Sequence, residues 1–407
     1  MKSAWYWLLI AVLVGGVGVM SWGCRPAEEE EAVEVTVDDT DALELDIRPV
    51  PRAQSADNYI LDAVRSGAAF LAESQNEDGG WGAPGHSEVG TTGLIVRALA
   101  TTPVESGVRE EYAEVIDRGV EYLLSKRRLA DGAISNDHLL LNYRTSIAAR
   151  ALIAVDPVKY EDEITQAVKY TLGIQGANPD DPATYGAMGY GSDHTKGDII
   201  NTGEAMQLLF ESGLSEDHEA WDRVQVFLAR VQNLDEGQPD EGVKTANDGG
   251  AIYRSVRDVE GASKVDEPLV LPDGTEVPRS YGGATYQLLR GLIFSGLERD
   301  NPRVQAAFSW IGDHYTVTEH PELGQQGLYY FYYTMARTLE TWGSAVIAAR
   351  GEEVNWARDL SDEVALQQEP DGSWVNPEPR WWEDNKPLST AYSVLTLNIC
   401  ARMLEEE

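Results

Sequence analysis

The chain has 407 residues, 43% of them apolar, enough for one large domain or two ordinary ones with a sizeable core. Its formal net charge is −36, with 32 Lys and Arg against 68 Asp and Glu. That balance argues against a nucleic-acid partner, which needs clustered basic residues, and points to a solvated acidic surface. Two cysteines, Cys24 and Cys400, are too few for a disulfide framework.

Residues 1–24 read as an export signal. Lys2 precedes the apolar run AWYWLLIAVLVGGVGVMSW, and Gly23-Cys24 follows. Gly23 before Cys24 resembles a bacterial lipoprotein cleavage site, which predicts lipidation of Cys24 and a chain anchored to a membrane of the cell envelope. Ser21 stands where such a site usually carries Leu, so an uncleaved signal anchor and ordinary cleavage stay open. Cys400 is expected as a small core residue. Residues 25–56 read as an acidic tether, with ten Asp and Glu facing only Arg25, Arg48 and Arg52. Such a segment repels itself and stays extended.

From residue 57 to 404 one pattern recurs. The corner QNEDGGWG (75–82) returns as QEPDGSW (368–374), NDGGAIY (247–253) and ADGAI (130–134). Helical runs precede the corners: GAAFLAESQ, GVEYLLSKR, AVKYTLGIQ and VQVFLARVQ. Second helices follow, and Thr92, Thr145, Thr202, Thr285 and Thr390 fall in one column of them. A sixth unit, 303–343, has no Gln-Asp-Gly corner and places Tyr330 in that column. Six helix hairpins cannot bury their apolar stripes singly, so neighbours must close on each other. The expected fold is all-α, a single α6/α6 toroid (an alpha-alpha barrel). The corner reads as structural: Asp-Gly turns the chain, glycine supplies positive φ, and Gln75, Asp78 and Trp81, like Gln368, Asp371 and Trp374, hold the turn. One unit is longer. Gln75 to Thr92 spans 17 residues and Gln232 to Thr285 spans 53, an insertion of about 233–280 containing LVLPDGTEVP, which reads as a β-hairpin.

These repeats resemble the QW repeats of squalene and hopene cyclases and of protein prenyltransferase β subunits, the terpenoid cyclase/prenyltransferase superfamily. The resemblance covers residues 57–404. It implies the toroid, and an isoprenoid or other lipid in its cavity. The cyclases' catalytic DxDD is absent; the nearest pairs are Asp38-Asp39 and Asp180-Asp181. The prenyltransferases' zinc ligands have no counterpart around Cys400, and no cofactor is implied. Two other readings stand beside the lipid one: a non-catalytic binding or scaffold protein for a protein or glycan partner, and a glycan-cleaving α/α toroid.

In a toroid the opening is lined by loops and first turns of inner helices. Candidate cavity or rim residues are Asn142, Arg144, Asn201, Tyr281, Tyr286, Gln325, Gln326, Tyr329, Tyr330 and Tyr392, residue types that also serve as caps and loop packing. Asp198 and Glu204, six apart around Thr202, are the candidate catalytic pair, since neighbouring carboxylates raise one pKa and leave a proton donor. Arg144 is the group that would neutralise them. His86, His138 and His194 each precede an inner helix, but spacing near fifty residues is no metal motif. His218, His314 and His320 are expected at the surface.

Overall fold

The computed structural model describes residues 43–83, 85–191, 197–257 and 261–406; Cys24, the export signal, most of the tether and His194 lie outside them. Helices alternate in chain order between two rings. Outer α1 (Asn58–Glu73) leads to inner α2 (Val89–Ala100), and after a one-turn helix α3 (Val108–Glu111) outer α4 (Ala113–Ser125) leads to inner α5 (Leu141–Val155). The pairs α6 (Glu161–Gly173) and α7 (Ile199–Glu211), α8 (Glu219–Val231) and α9 (Gly282–Phe294), α10 (Pro302–Asp313) and α11 (Leu328–Trp342), and α12 (Trp356–Leu366) and α13 (Lys386–Glu405) follow. The inner helices pack side by side in that order, and α13 returns to α2. Asn398 Nδ2 closes the ring, donating to Ala98 O at 2.9 Å and Thr101 Oγ1 at 3.1 Å. The expected α6/α6 toroid is therefore what the chain forms.

The two rings follow from composition. Outer helices carry one apolar stripe: in α1, Ile60, Leu61, Val64, Ala68 and Leu71 are buried while the opposite face is solvated. Inner helices have neighbours on every side, so α2 buries Val89–Ala100 apart from Thr91. Three two-stranded antiparallel hairpins decorate the loops. The insertion supplies β3 (Leu269–Val270) and β4 (Glu276–Val277), as read from LVLPDGTEVP. β1 (Gly82–Ala83) pairs β2 (His86–Ser87), and β5 (Val346–Ala349) pairs β6 (Glu352–Asn355) before α12.

The corners dock each unit onto the next. In four of them an Asp side chain accepts from the N–H two residues on: Asp78 from Gly80, Asp131 from Ala133, Asp248 from Gly250 and Asp371 from Ser373. The Gly after each Asp has positive φ, between +77° and +86°. A Cβ at Gly79 would lie 2.5 Å from Arg118 O on the next outer helix, and one at Gly372 would lie 2.4 Å from Ser66 O. Gly132, Gly186 and Gly249 meet Gln166 O, Arg223 O and Ala306 O in the same way. Glutamine bridges the same joint: Gln75 Nε2 donates to its own Gly79 O (2.8 Å) and to Val115 O (2.9 Å), and Gln368 Nε2 to Gly372 O (2.9 Å) and Ala63 O (3.0 Å). Trp81 and Trp374 are fully buried, each indole donating at 2.7 Å to a carbonyl of the preceding helix.

The threonine column has a single task. Thr92, Thr145, Thr202, Thr285 and Thr390 accept, through Oγ1, the backbone N–H of Trp81, Ile134, Met188, Ala251 and Trp374 at 2.9–3.0 Å. Tyr330 does not share it. Its hydroxyl accepts from Gln287 Nε2 at 2.9 Å, because the sixth unit has no corner to hold. Residues 43–56, read as the end of the tether, lie against the toroid: Leu45 bridges Leu214, Arg52 Nε donates to Thr102 O, and Ala53 is buried. Apolar Leu43, Leu45, Ile47 and Val50 supply the contact that the acidic stretch before them lacks. Cys400 is a buried free thiol, as expected.

Gly372→Ala should lower unfolding stability by roughly 2–5 kcal/mol, from positive φ plus a backbone clash. Gly274→Ala, with the same φ class but open space around it, should cost only about 1 kcal/mol. Denaturant melts of both variants check this, and equal costs would remove the docking role.

Candidate functional site

The centre of the ring is a buried ionic network. Glu204 on α7 receives Arg150 Nη1 at 2.7 Å and Arg337 at 2.7 and 3.0 Å. Glu211, about two turns further, receives Arg97 at 2.8 and 3.0 Å and Arg150 Nε at 3.2 Å. Arg150 also donates to Tyr333 Oη at 3.1 Å, and Arg337 lies 4.1 Å over the Tyr333 ring. Arg290 donates to Gln287 Oε1. Burial alone would raise Glu204, but Arg337 and Arg150 outweigh it and hold it at about 2. Burial likewise opposes ionisation of Tyr333, and Arg150, Arg337 and Arg97 outweigh it, placing the phenol below its ordinary range.

This network fills the lumen. Arg150, Arg290, Tyr286 and Gln287 are at most 1% exposed, so no water-sized space opens beside them. A pocket of about 30 Å³ lies at the far end of the inner helices, against Arg97, Gln207, Glu211, Arg337, Glu340 and Arg402. That is room for a water or two; pockets for drug-sized ligands run to roughly 300–1,000 Å³.

The corner-side mouth is different. Asp198 caps α7, its Oδ1 accepting from Ile200 N (3.0 Å) and Asn201 N (2.8 Å) and its Oδ2 from Asn201 Nδ2 (2.8 Å). Burial raises its pKa, against those hydrogen bonds. Around it stand Tyr190, Tyr253 and Tyr281. The Tyr190 and Tyr253 hydroxyls bond at 2.5 Å, while the Tyr281 hydroxyl and Asn201 Oδ1 are buried with no partner among the described residues. The insertion folds back here: Lys264 Nζ sits 3.5 Å over the Tyr253 ring and senses Asp198. From the loop before α13 comes Arg380, which donates to Gln326 Oε1 and lies 4.4 Å over the Trp381 ring. Trp381 and Trp382 have φ of 59° and 63°, left-handed backbone that is a genuine outlier for a bulky residue, and Trp382 is 70% exposed. Next to them Glu383 caps α11, accepting from Tyr330 N and Asn376 Nδ2 at 2.8 Å; burial raises it to about 6.

The structure thus separates the candidate catalytic pair. Asp198 is spent on a helix cap and Glu204 on two arginines. Their shifts have different causes, and Arg144 reaches neither: it pairs with Glu88 and Asp137 at 2.5 and 2.6 Å. Asn201 and Tyr281 join Asp198 at the mouth. Tyr286 faces Phe331 edge-on inside the wall, and Asn142 clamps the loop carbonyl of Gly189 and the first-turn carbonyl of Asn201 on α7. Tyr392 bonds Tyr143 Oη at 3.1 Å, Tyr329 packs edge-on against Tyr332, and Gln325 Nε2 bonds Thr318 O. His320 is not at the surface. It is 2% exposed, accepts Gly283 N–H at Nε2 (2.8 Å) and is held near pKa 4 by burial. Sequence reasoning missed Tyr190, Lys264, Arg254, Arg380, Trp381 and Trp382. The length of the insertion signalled the first loop, and the paired tryptophans were the available signal for the second.

Comparison with solved structures places the architecture. A variant of the type II terpene cyclase MstE from Scytonema, bound to geranylgeranyl dihydroxybenzoate, superposes with TM-score 0.54 at 15% identity, over 85% of this chain and 98% of that one. The GH76A alpha-1,6-mannanase from Salegentibacter sp. HEL1_6 gives 0.54 at 10% identity, over 85% and 99%. An inactive variant of that mannanase with alpha-1,6-mannotriose gives 0.53 at 11%, over the same shares. The chain shares their α/α toroid fold. No protein-family model and no curated protein matches the sequence.

Glu204→Gln should destabilise the chain by roughly 3–5 kcal/mol at neutral pH, since Arg150 and Arg337 are left uncompensated. Glu204's folded pKa is depressed, so its contribution is full above the ordinary 4.5 and is lost as pH falls through about 2. Stability measured from pH 7 to 2 should therefore fall less steeply below 4.5 in the variant.

Proposed function

We propose that this is a membrane-tethered envelope protein that binds carbohydrate at the corner-side mouth of its toroid. The observation that carries the reading is the pair Trp381-Trp382, held in left-handed backbone next to Arg380, whose charge reaches Tyr281 of the tyrosine cluster. Such backbone costs of order 1–3 kcal/mol per residue, and strained, exposed aromatics are a signature of ligand contact. Indole faces stack on sugar C–H surfaces, while the part-exposed Tyr190 and the unpartnered Tyr281 hydroxyl are the phenols left for a sugar hydroxyl. The mannanase bound to mannotriose supports the reading, because its toroid carries a glycan.

The isoprenoid alternative is less well supported. MstE binds a geranylgeranyl substrate, but in this chain the lumen holds ion pairs where a prenyl chain would need apolar walls. Catalysis is not part of the reading, since Asp198, Glu204 and Glu383 are each held by structural partners. The tether is Cys24 with its export signal.

Trp382→Ala should weaken oligosaccharide binding by about tenfold, some 1.4 kcal/mol, with stability unchanged or raised. Calorimetry against a panel of oligosaccharides and a geranylgeranyl lipid decides between the readings: tight lipid binding without sugar binding would sink the carbohydrate one. Cell fractionation of Cys24→Ala should move the chain out of the membrane fraction, and its retention there would point to an uncleaved anchor.

A further inference from the structure

Charge at the mouth runs against the rest of the chain. Acids outnumber bases 68 to 32, and three buried arginines of the ring, Arg97, Arg150 and Arg337, meet carboxylates, while the fourth, Arg290, donates to Gln287 inside the same network. Arg257, with no ion pair among the described residues, is satisfied by Arg230 O, Gln232 O and Asn233 Oδ1. Lys264, Arg254 and Arg380 follow neither pattern. Lys264 stands over the Tyr253 ring at 3.5 Å, and Arg254 lies 5.3 Å from the same ring with its buried Nε unpartnered. Arg380 meets the neutral Gln326 side chain and the Trp381 ring. Lys264 feels the charges of both Arg254 and Arg380, and the one acid whose field reaches it among the described residues is the buried cap Asp198.

Three cations with no ion pair among the described residues, and only the buried cap Asp198 near one of them, are a costly arrangement in a folded protein. They are also the arrangement that receives an anion, with guanidinium forks suited to bidentate carboxylate or sulfate. The buried Tyr281 hydroxyl, with no partner among the described residues, is a fourth donor in the same cluster. We propose that the mouth takes an acidic glycan, whose carboxylate or sulfate substituent is received by Lys264, Arg254 and Arg380 while Trp381 and Trp382 stack on the sugar rings. This rests on the carbohydrate reading above and names its ligand class.

The test is calorimetric titration of the full-length protein in detergent, at fixed ionic strength, with trigalacturonate, a sulfated trisaccharide and mannotriose. The expected result is binding of at least one acidic trisaccharide ten times or more tighter than mannotriose. Whichever acidic sugar binds identifies the substituent. Lys264→Met and Arg380→Met should each weaken acidic binding severalfold, whereas Lys159→Met, exposed in the loop after α5, should not. Equal affinity for mannotriose, or equal losses in all three variants, would overturn the acidic assignment and leave the carbohydrate reading standing. No binding of any sugar would overturn both.

Discussion

One close approach, a corner glycine against a carbonyl of the next outer helix, sets everything else. With 2.4–2.7 Å available to a Cβ at Gly79, Gly132, Gly249 and Gly372, any side chain there would hold neighbouring hairpins apart. Glycine lets four successive joints close in the same way, and a fifth, between Gly372 and Ser66, returns the last unit to the first. The glutamine bridge and the threonine acceptor then fix the angle at which each inner helix leaves its corner. The result is a ring rather than an open solenoid, with all inner helix N-termini on one side.

Closing the ring creates a lumen, and a lumen has to be filled or used. Here it is filled. Arg97, Arg150 and Arg337 meet Glu204 and Glu211 across the axis, with Tyr333 between them and Arg290 on Gln287 beside them. An apolar plug of the same volume would pack at least as stably, so the network is evidence of specificity in register more than of stability. Its consequence is that, among the described residues, no apolar chamber opens beside these ion pairs. What remains accessible is the corner-side mouth, where loops rather than ring helices supply the chemistry.

Much of the ring was legible because it repeats. Gln75, Asp78, Gly79 and Trp81 recur in register, and the Thr92 column marks where each inner helix begins. The ionic centre was also written in the sequence, though less visibly. Arg97, Arg150 and Arg290 each stand five residues after the column threonine, inside helices apolar on every side. A charge repeated at one position of such helices has no solvent to face, so it must meet counter-charges at the axis. The mouth was legible only in part. Asp198, Asn201 and Tyr281 belong to first turns, and their position follows from helix geometry. Lys264, Arg254, Arg380 and Trp382 sit on irregular loops, where no period relates sequence distance to spatial distance.

The most direct measurement is a pair of crystal structures, one grown with an acidic trisaccharide and one with a geranylgeranyl lipid. The account predicts sugar density against Trp381, Trp382 and Tyr281, with Glu204 still bonded to Arg150 and Arg337 in both crystals. Lipid density along the axis, with the Glu204 pairs opened to admit it, would contradict it.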